Sequence, residues 1–232
     1  MKLFFDVIAI DLDGTLVDSV GDLSAAVNAM QESLGMPLSS ELQVRNWVGN
    51  GIERLVHRAL TNGMSENATV EQFTSAMPVF EEFYQSNNGT HSTLYPGVEA
   101  GLDWLASTGA PLCIVTNKAR RFTMPLLKSL NILHRFEHCV AGDDVSAKKP
   151  DPAALFEVAR LCDVKTSNAL LIGDSISDIK AARAAGFYSL AVSYGYNHGQ
   201  SVTELRDELQ PDAIVDSFEE LPDALAAIRQ MG

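Results

Sequence analysis

The chain has 232 residues, 46% of them hydrophobic and 20% charged, a balance that supplies a sizeable core and excludes a disordered or collagen-like chain. Thirty acidic side chains against 17 basic ones give a formal net charge of -13, a field that repels polyanions and excludes nucleic acid and anionic membranes as expected partners. Cys113, Cys139 and Cys162 form no CxxC pair, which argues against a disulfide framework or zinc site and for a reducing cytoplasm. No basic leader precedes the first apolar run and no stretch approaches roughly 18 consecutive apolar residues, so a soluble, cytoplasmic protein is expected.

In chain order, residues 4–12 form an aliphatic run that ends on acidic residues and a Gly-Thr turn. That pattern predicts a buried strand with a polar tip. Leu23, Val27, Met30 and Leu34 then fall at helical spacing, as do Ile52, Leu55, Val56, Ala59 and Leu60, and again Val70, Phe73, Met77, Phe80 and Tyr84. Gly35, Pro37, Gly63 and Asn67 punctuate these stripes, so residues 17–84 are expected to form an all-helical block. Beyond Pro96 and Gly97, short apolar runs at 111–115, 138–141, 169–172, 189–192 and 213–215 alternate with helical stripes. One such helix is expected to start with Asp151 as N-cap and Pro152 at its first position, with Leu155, Phe156, Ala159 and Cys162 on one face. Strand-helix alternation predicts a parallel sheet covered on both faces. The expected organisation is an α/β core of residues 1–16 and 85–232, interrupted by the helical block.

Ligands of open parallel sheets sit beyond the carboxyl ends of the strands, which makes the strand tips the place to look for chemistry. DLDGT occupies positions 11–15; residues two apart in an extended segment point the same way, so Asp11 and Asp13 can share a site. Gly14 lets the chain turn sharply. GDSISD at 173–178 places Asp174 and Asp178 at another tip. Four converging carboxylates repel one another by ~4 kcal/mol per pair at about 4 Å and an effective dielectric near ~20, a repulsion that a bound cation relieves. With oxygen ligands and no His or Cys among them, Mg²⁺ suits the set better than Zn²⁺. Thr116 and Asn117 follow the run at 113–115, and Lys149 sits in KKPDP, held extended by Pro150. Alone, the first pair reads as a capping turn and the lysines as solvated surface. Their placement at strand tips beside the aspartates is what marks them.

The order of DLDGT, Thr116, Lys149 before Pro150, and GDSISD resembles the four motifs of the haloacid dehalogenase superfamily over the whole chain. Residues 17–84 resemble the small α-helical cap that many members insert between the first two motifs. VTNK at 115–118, AGDDV at 141–145, WVGNG at 47–51 and SYGYN at 193–197 are most similar to the phosphoglycolate phosphatase branch. The resemblance implies a Rossmann-like doubly wound sheet and a Mg²⁺-dependent phosphatase of small phosphomonoesters, with 2-phosphoglycolate the expected substrate. Another sugar or amino-sugar acid phosphate, or a phosphomutase activity, is the alternative. It implies Asp11 as nucleophile and Asp13 as general acid and base. Mg²⁺ would be held by Asp11, the Asp13 carbonyl and Asp174, with Asp178 acting through water or orienting Asp174 and Lys149. Thr116, Asn117 and Lys149 would hold the phosphate oxygens.

In the cap, the turn carrying Gly49 and Gly51 opens a helix whose N–H groups can hold a substrate anion. Arg54, Arg45 and Lys118 are the candidate partners of a substrate carboxylate. The same features fit a plain glycine turn flanked by solvated basic side chains. His198 lies beside an expected active-site loop at 194–199. A monomer or homodimer is expected.

Overall fold

The computed structural model describes residues 5–229. Phe4, the expected beginning of the first strand, lies outside the described residues. Strand β1 (Val7–Ile10) is buried along its whole length, and its parallel neighbours are β4 (Leu112–Val115) and β6 (Ala169–Gly173). With β5 (His138–Val140), β7 (Tyr188–Val192) and β8 (Ala213–Val215) they form a six-stranded sheet in the order β5-β4-β1-β6-β7-β8. Every pairing in it is parallel. Parallel pairing requires crossovers, and helices supply them on both faces.

Side chains alternate along β1 and its neighbours, so the sheet has two apolar faces. Ile8, Ile10, Ile114 and Ile172 pack under α5 (Val98–Ser107), α6 (Arg120–Ser129) and α9 (Leu221–Arg229). Val7, Ala9, Val115 and Leu171 pack under α7 (Ala153–Leu161) and α8 (Ile176–Ala185). The direction of winding reverses between β1 and β6, and that reversal opens a crevice at their carboxyl ends. Asp11 and Asp174 are the first residues beyond those two strand tips. The architecture is the Rossmann-like doubly wound α/β sheet expected from the alternation of elements.

Four helices follow β1 in the chain: α1 (Val20–Ser33), α2 (Glu41–Trp47), α3 (Ile52–Thr61) and α4 (Val70–Asn87). They enclose an apolar core of their own, built on Val27, Met30, Trp47, Leu55, Phe80 and Tyr84. Ser40 with Gln43 and Thr69 with Gln72 form capping boxes that fix where α2 and α4 begin. A two-residue antiparallel ribbon, β2 (Val17–Asp18) with β3 (Thr93–Leu94), joins the chain's entry to and exit from this helical layer. So short a ribbon leaves no periodic signal in the sequence. Buried Asp22 ties the exit down, its carboxylate accepting from the backbone N–H groups of Gly89 at 2.7 Å and His91 at 2.7 Å.

Some expected details shift. Helix α4 runs to Asn87, past the expected boundary at 84, and Val70 is 84% exposed at its start. Leu34 is the C-cap of α1 rather than part of its buried stripe. Pro152 is the N-cap of α7, and Asp151 accepts from the Ala153 N–H one residue further out than expected. The buried face of α7 is Ala154, Leu155, Val158 and Ala159; Phe156 is 48% exposed because it follows Leu155 by about 100° round the helix, off the face that meets the sheet. Among the described residues, no helix is long and apolar enough to cross a membrane.

Candidate active site

The tips of β1 and β6 bring Asp11, Asp174 and Asp178 together. One carboxylate oxygen from each lies within 4.8 Å of the others, and all three residues are buried. Two glycines make that approach possible. Gly14 turns the chain at φ +90°, where a Cβ would lie 2.4 Å from Asp174 Oδ2. A Cβ at Gly173 would lie 2.3 Å from Asp178 Cγ.

Each acid is held differently. Asp174 accepts from Thr15 Oγ1 at 3.2 Å and from the Tyr196 N–H at 2.7 Å. Asp178 Oδ2 accepts from the Ser175 N–H and hydroxyl at 3.1 and 2.6 Å, a reciprocal cap on the start of α8. Its other oxygen accepts from Lys149 Nζ at 2.6 Å. Lys149 also reaches the Val115 carbonyl at 2.9 Å and stands 2.9 Å from Asp11 Oδ1.

One buried ammonium therefore faces three buried carboxylates. Burial pushes Asp11 from 3.8 up to about 7 against the pull of Lys149, and Asp178 adds to the rise. Burial, then the charges of Asp178 and Asp11, carry Asp174 to about 8. Burial alone would lower the Lys149 ammonium, but Asp11 and Asp178 raise it above the ordinary lysine range. A single ammonium, 2.9 Å from Asp11 Oδ1 and 2.6 Å from Asp178 Oδ1, cannot balance three buried carboxylates. An excess of hard anionic oxygen donors suits a hard divalent cation.

Asp13 does not join this cluster as expected. Its carboxylate turns aside to accept from Ser19 Oγ at 2.6 Å and to pair with Lys118 Nζ at 3.0 and 3.1 Å. The alternation of an extended strand ends at Leu12, where the chain folds back so that Thr15, Leu16 and Val17 all donate to the Leu12 carbonyl. Only Asp13's main chain therefore remains directed by the strand.

A partly open cavity of about 40 Å³ adjoins Asp11 and Asp13. Asp11, Asp13, Thr116 and Lys118 line it from the sheet, and Leu23, Val48, Gly49, Gly51, Ile52 and Leu55 from the helical layer. Thr116 Oγ1 accepts from the Lys118 N–H at 3.2 Å. The Asn117 side chain faces away from a phosphate role: its amide donates to the Lys149 and Gly49 carbonyls, each at 3.0 Å. Lys118 is buried, and although burial lowers its proton affinity, Asp13 and Tyr84 raise it above the ordinary range.

The remaining basic candidates are occupied elsewhere. Arg54 donates to Asn67 Oδ1 and the Met64 carbonyl, both at 2.6 Å, on the outer side of α3. Arg45 pairs with Asp18 at 2.9 Å and lies over the Tyr196 ring. Arg58, which carried no sequence signal, is the buried residue behind the 49–51 turn. Its guanidinium donates to the Trp47 carbonyl and to Asn50 Oδ1, and burial lowers it to about 10. His198 bonds Asn46 rather than lining the cavity. Tyr84 and Ser175 also went unmarked. Tyr84 looks like one more residue of an apolar stripe, whereas the Ser175-x-x-Asp178 spacing is a legible capping signal.

Comparison with known proteins agrees with the geometry. The family model for haloacid dehalogenase-like hydrolases matches residues 8–192. A Nitrosococcus oceani protein named phosphoglycolate phosphatase is 48% identical over 221 residues, covering 95% of this chain and 96% of its own. Another of that name from Nitrosospira multiformis is 41% identical over 216 residues, covering 92% of each. The crystal structure of a predicted phosphoglycolate phosphatase from Haemophilus somnus superposes with a TM-score of 0.87 at 32% identity, covering 95% of this chain and 97% of that one.

Proposed function

The chain belongs to the haloacid dehalogenase-like hydrolase family, and from that premise we propose that it is a Mg²⁺-dependent phosphatase of 2-phosphoglycolate. The observation that carries this reading is the juxtaposition of the Asp11, Asp174, Asp178 and Lys149 cluster with a cavity lined from both the sheet and the helical layer. Residues 17–84 act as a cap over it, with α4 continuing to Asn87.

An Asp11 carboxylate oxygen attacks phosphorus. The new P–O bond forms as the bond to the leaving oxygen breaks, and that oxygen takes a proton from Asp13. Asp13 then removes a proton from water, which attacks the aspartyl phosphate and returns Asp11 and inorganic phosphate. Asp11, Asp174 and the Asp13 main-chain carbonyl would hold Mg²⁺, with Asp178 fixing the set from behind. The ion would supply positive charge that offsets the repulsion of a carboxylate nucleophile and a phosphate dianion. Lys149 would offset the same charge, and the Thr116 hydroxyl and the Asn117 N–H would hold phosphate oxygens.

A charged two-carbon glycolate suits a cavity lined by Lys118 and by the apolar Leu23, Ile52 and Leu55, which favours phosphoglycolate over a phosphohexose mutase reaction, since those apolar walls offer sugar hydroxyls no partner. The partner of its carboxylate is Lys118, not Arg54. Phosphate release from a panel of phosphomonoesters, with Mg²⁺ and with EDTA, tests the proposal. Preference for phosphoglycolate, abolished by EDTA and restored by Mg²⁺, is expected; equal turnover of hexose phosphates would reject the substrate assignment.

A further inference from the structure

Lys118 is fully committed in this structure. Its ammonium lies 3.0 Å from Asp13 Oδ1 and 3.1 Å from Oδ2, and donates to the Tyr84 hydroxyl. An ammonium has three N–H groups, and these contacts use them. Tyr84 is fully buried near the end of α4, with its ring 4.9 Å from Phe122 and 5.6 Å from Phe80. Aromatic packing thus fixes the hydroxyl that fixes Lys118.

Both oxygens of Asp13 are therefore engaged, one of them also by Ser19 Oγ at 2.6 Å. Turning Asp13 toward a leaving oxygen would strip Lys118 of its carboxylate, and a buried ammonium left without one is costly. Of the other cavity walls, Leu23, Ile52 and Leu55 offer no charge, and Asp11 is already paired with Lys149 at 2.9 Å. A replacement anion must come from the ligand.

We infer that Lys118, held in place by Tyr84, exchanges Asp13 for a negative charge on the leaving group, so that Asp13 is released to act only on short carboxylate-bearing phosphates. The inference rests on the phosphatase reading and deepens it. Tyr84 is a positioning residue, acting through Lys118. Selection then falls on kcat, because a neutral leaving group still binds through its phosphate but leaves Asp13 locked to Lys118.

Phosphoglycolate and its amide, carbamoylmethyl phosphate, differ in charge but not in heavy-atom count. In the wild-type enzyme the amide should lose about 10- to 100-fold in kcat with KM within about threefold, the scale of one contact to a charged group. Lys118→Met should bring the two kcat values to within about threefold of each other, and Tyr84→Phe should narrow the gap part of the way. An arm independent of variant folding uses the wild type alone: formate should raise kcat for methyl phosphate saturably, by filling the carboxylate position in two pieces. Equal kcat for acid and amide, a ratio that survives Lys118→Met, discrimination confined to KM, or no effect of formate would overturn the exchange. If no phosphomonoester releases phosphate, the phosphatase reading fails and the inference falls with it.

Discussion

Asn117 and Lys149 exchange a pair of hydrogen bonds across two strand tips: Asn117 Nδ2 donates to the Lys149 carbonyl at 3.0 Å, and the Lys149 N–H donates to Asn117 Oδ1 at 2.8 Å. The segment before Pro150, joined to it by a cis peptide bond, is thereby tied to the tip of β4, with its lysine aimed at Asp11 and Asp178. Asn117→Ala should lower kcat about 10- to 100-fold by loosening Lys149, while Mg²⁺ half-saturation moves little, since no metal-side carboxylate is touched. Steady-state kinetics at varied Mg²⁺ check this; a change confined to KM would return Asn117 to direct phosphate binding.

Asp11→Asn should abolish turnover, since it removes the attacking oxygen, and leave a folded protein with one charge fewer in a crowded acidic site. Asp13→Asn should cost ~10² to 10⁴ in rate, the range of general acid-base catalysis. Rapid-quench labelling with a phosphorylated substrate separates them: the Asp13 variant should still trap some acid-stable label on the protein, and the Asp11 variant none. Label on the Asp11 variant would remove the covalent mechanism.

Arg54 and Arg58 stand four residues apart on α3, yet only Arg58 is buried behind the 49–51 turn. Arg54→Ala should leave kcat/KM for phosphoglycolate within about twofold, as expected of an exposed contact. Arg58→Met should reduce it by about tenfold or more through loss of the turn's support, with KM affected most. A large effect at Arg54 would mean that the cap reorients when substrate binds.

The sheet and its acidic crevice were legible because strands buried on both faces are written as apolar runs, and the residues after them, Asp11, Thr116 and Asp174, stand out by contrast. The orientation of Asp13 was not legible. It depends on Ser19 and Lys118, the latter 105 positions away, and no local spacing reports such a contact. Arg54 misled for a related reason: helical periodicity places it on the first turn of α3, but whether that face meets the cavity or the 62–67 loop is decided by packing among four helices. Tyr84 obeyed its apolar stripe and hid a hydroxyl that the stripe does not describe.

Without a cation, Asp11 at about 7 and Asp174 at about 8 lie above the ordinary 3.8. The native state thus binds more protons than the unfolded chain across that interval, and the sign follows: apo stability is highest on the acid side and falls as pH rises through the two native values. A divalent ion takes the place of those protons, so its stabilisation must grow in the same direction. Thermal melts should show a Mg²⁺-induced rise in Tm of at least about 4 °C at pH ~8.5 and less than half of that near pH ~6, about 1 kcal/mol corresponding to roughly 2–4 °C at this chain length. Asp174→Asn removes one member of the repelling set, so its apo form should melt higher than wild type at pH ~8.5 and respond weakly to Mg²⁺. A Mg²⁺ shift that is the same at both pH values, or undiminished in Asp174→Asn, would place the ion away from these carboxylates.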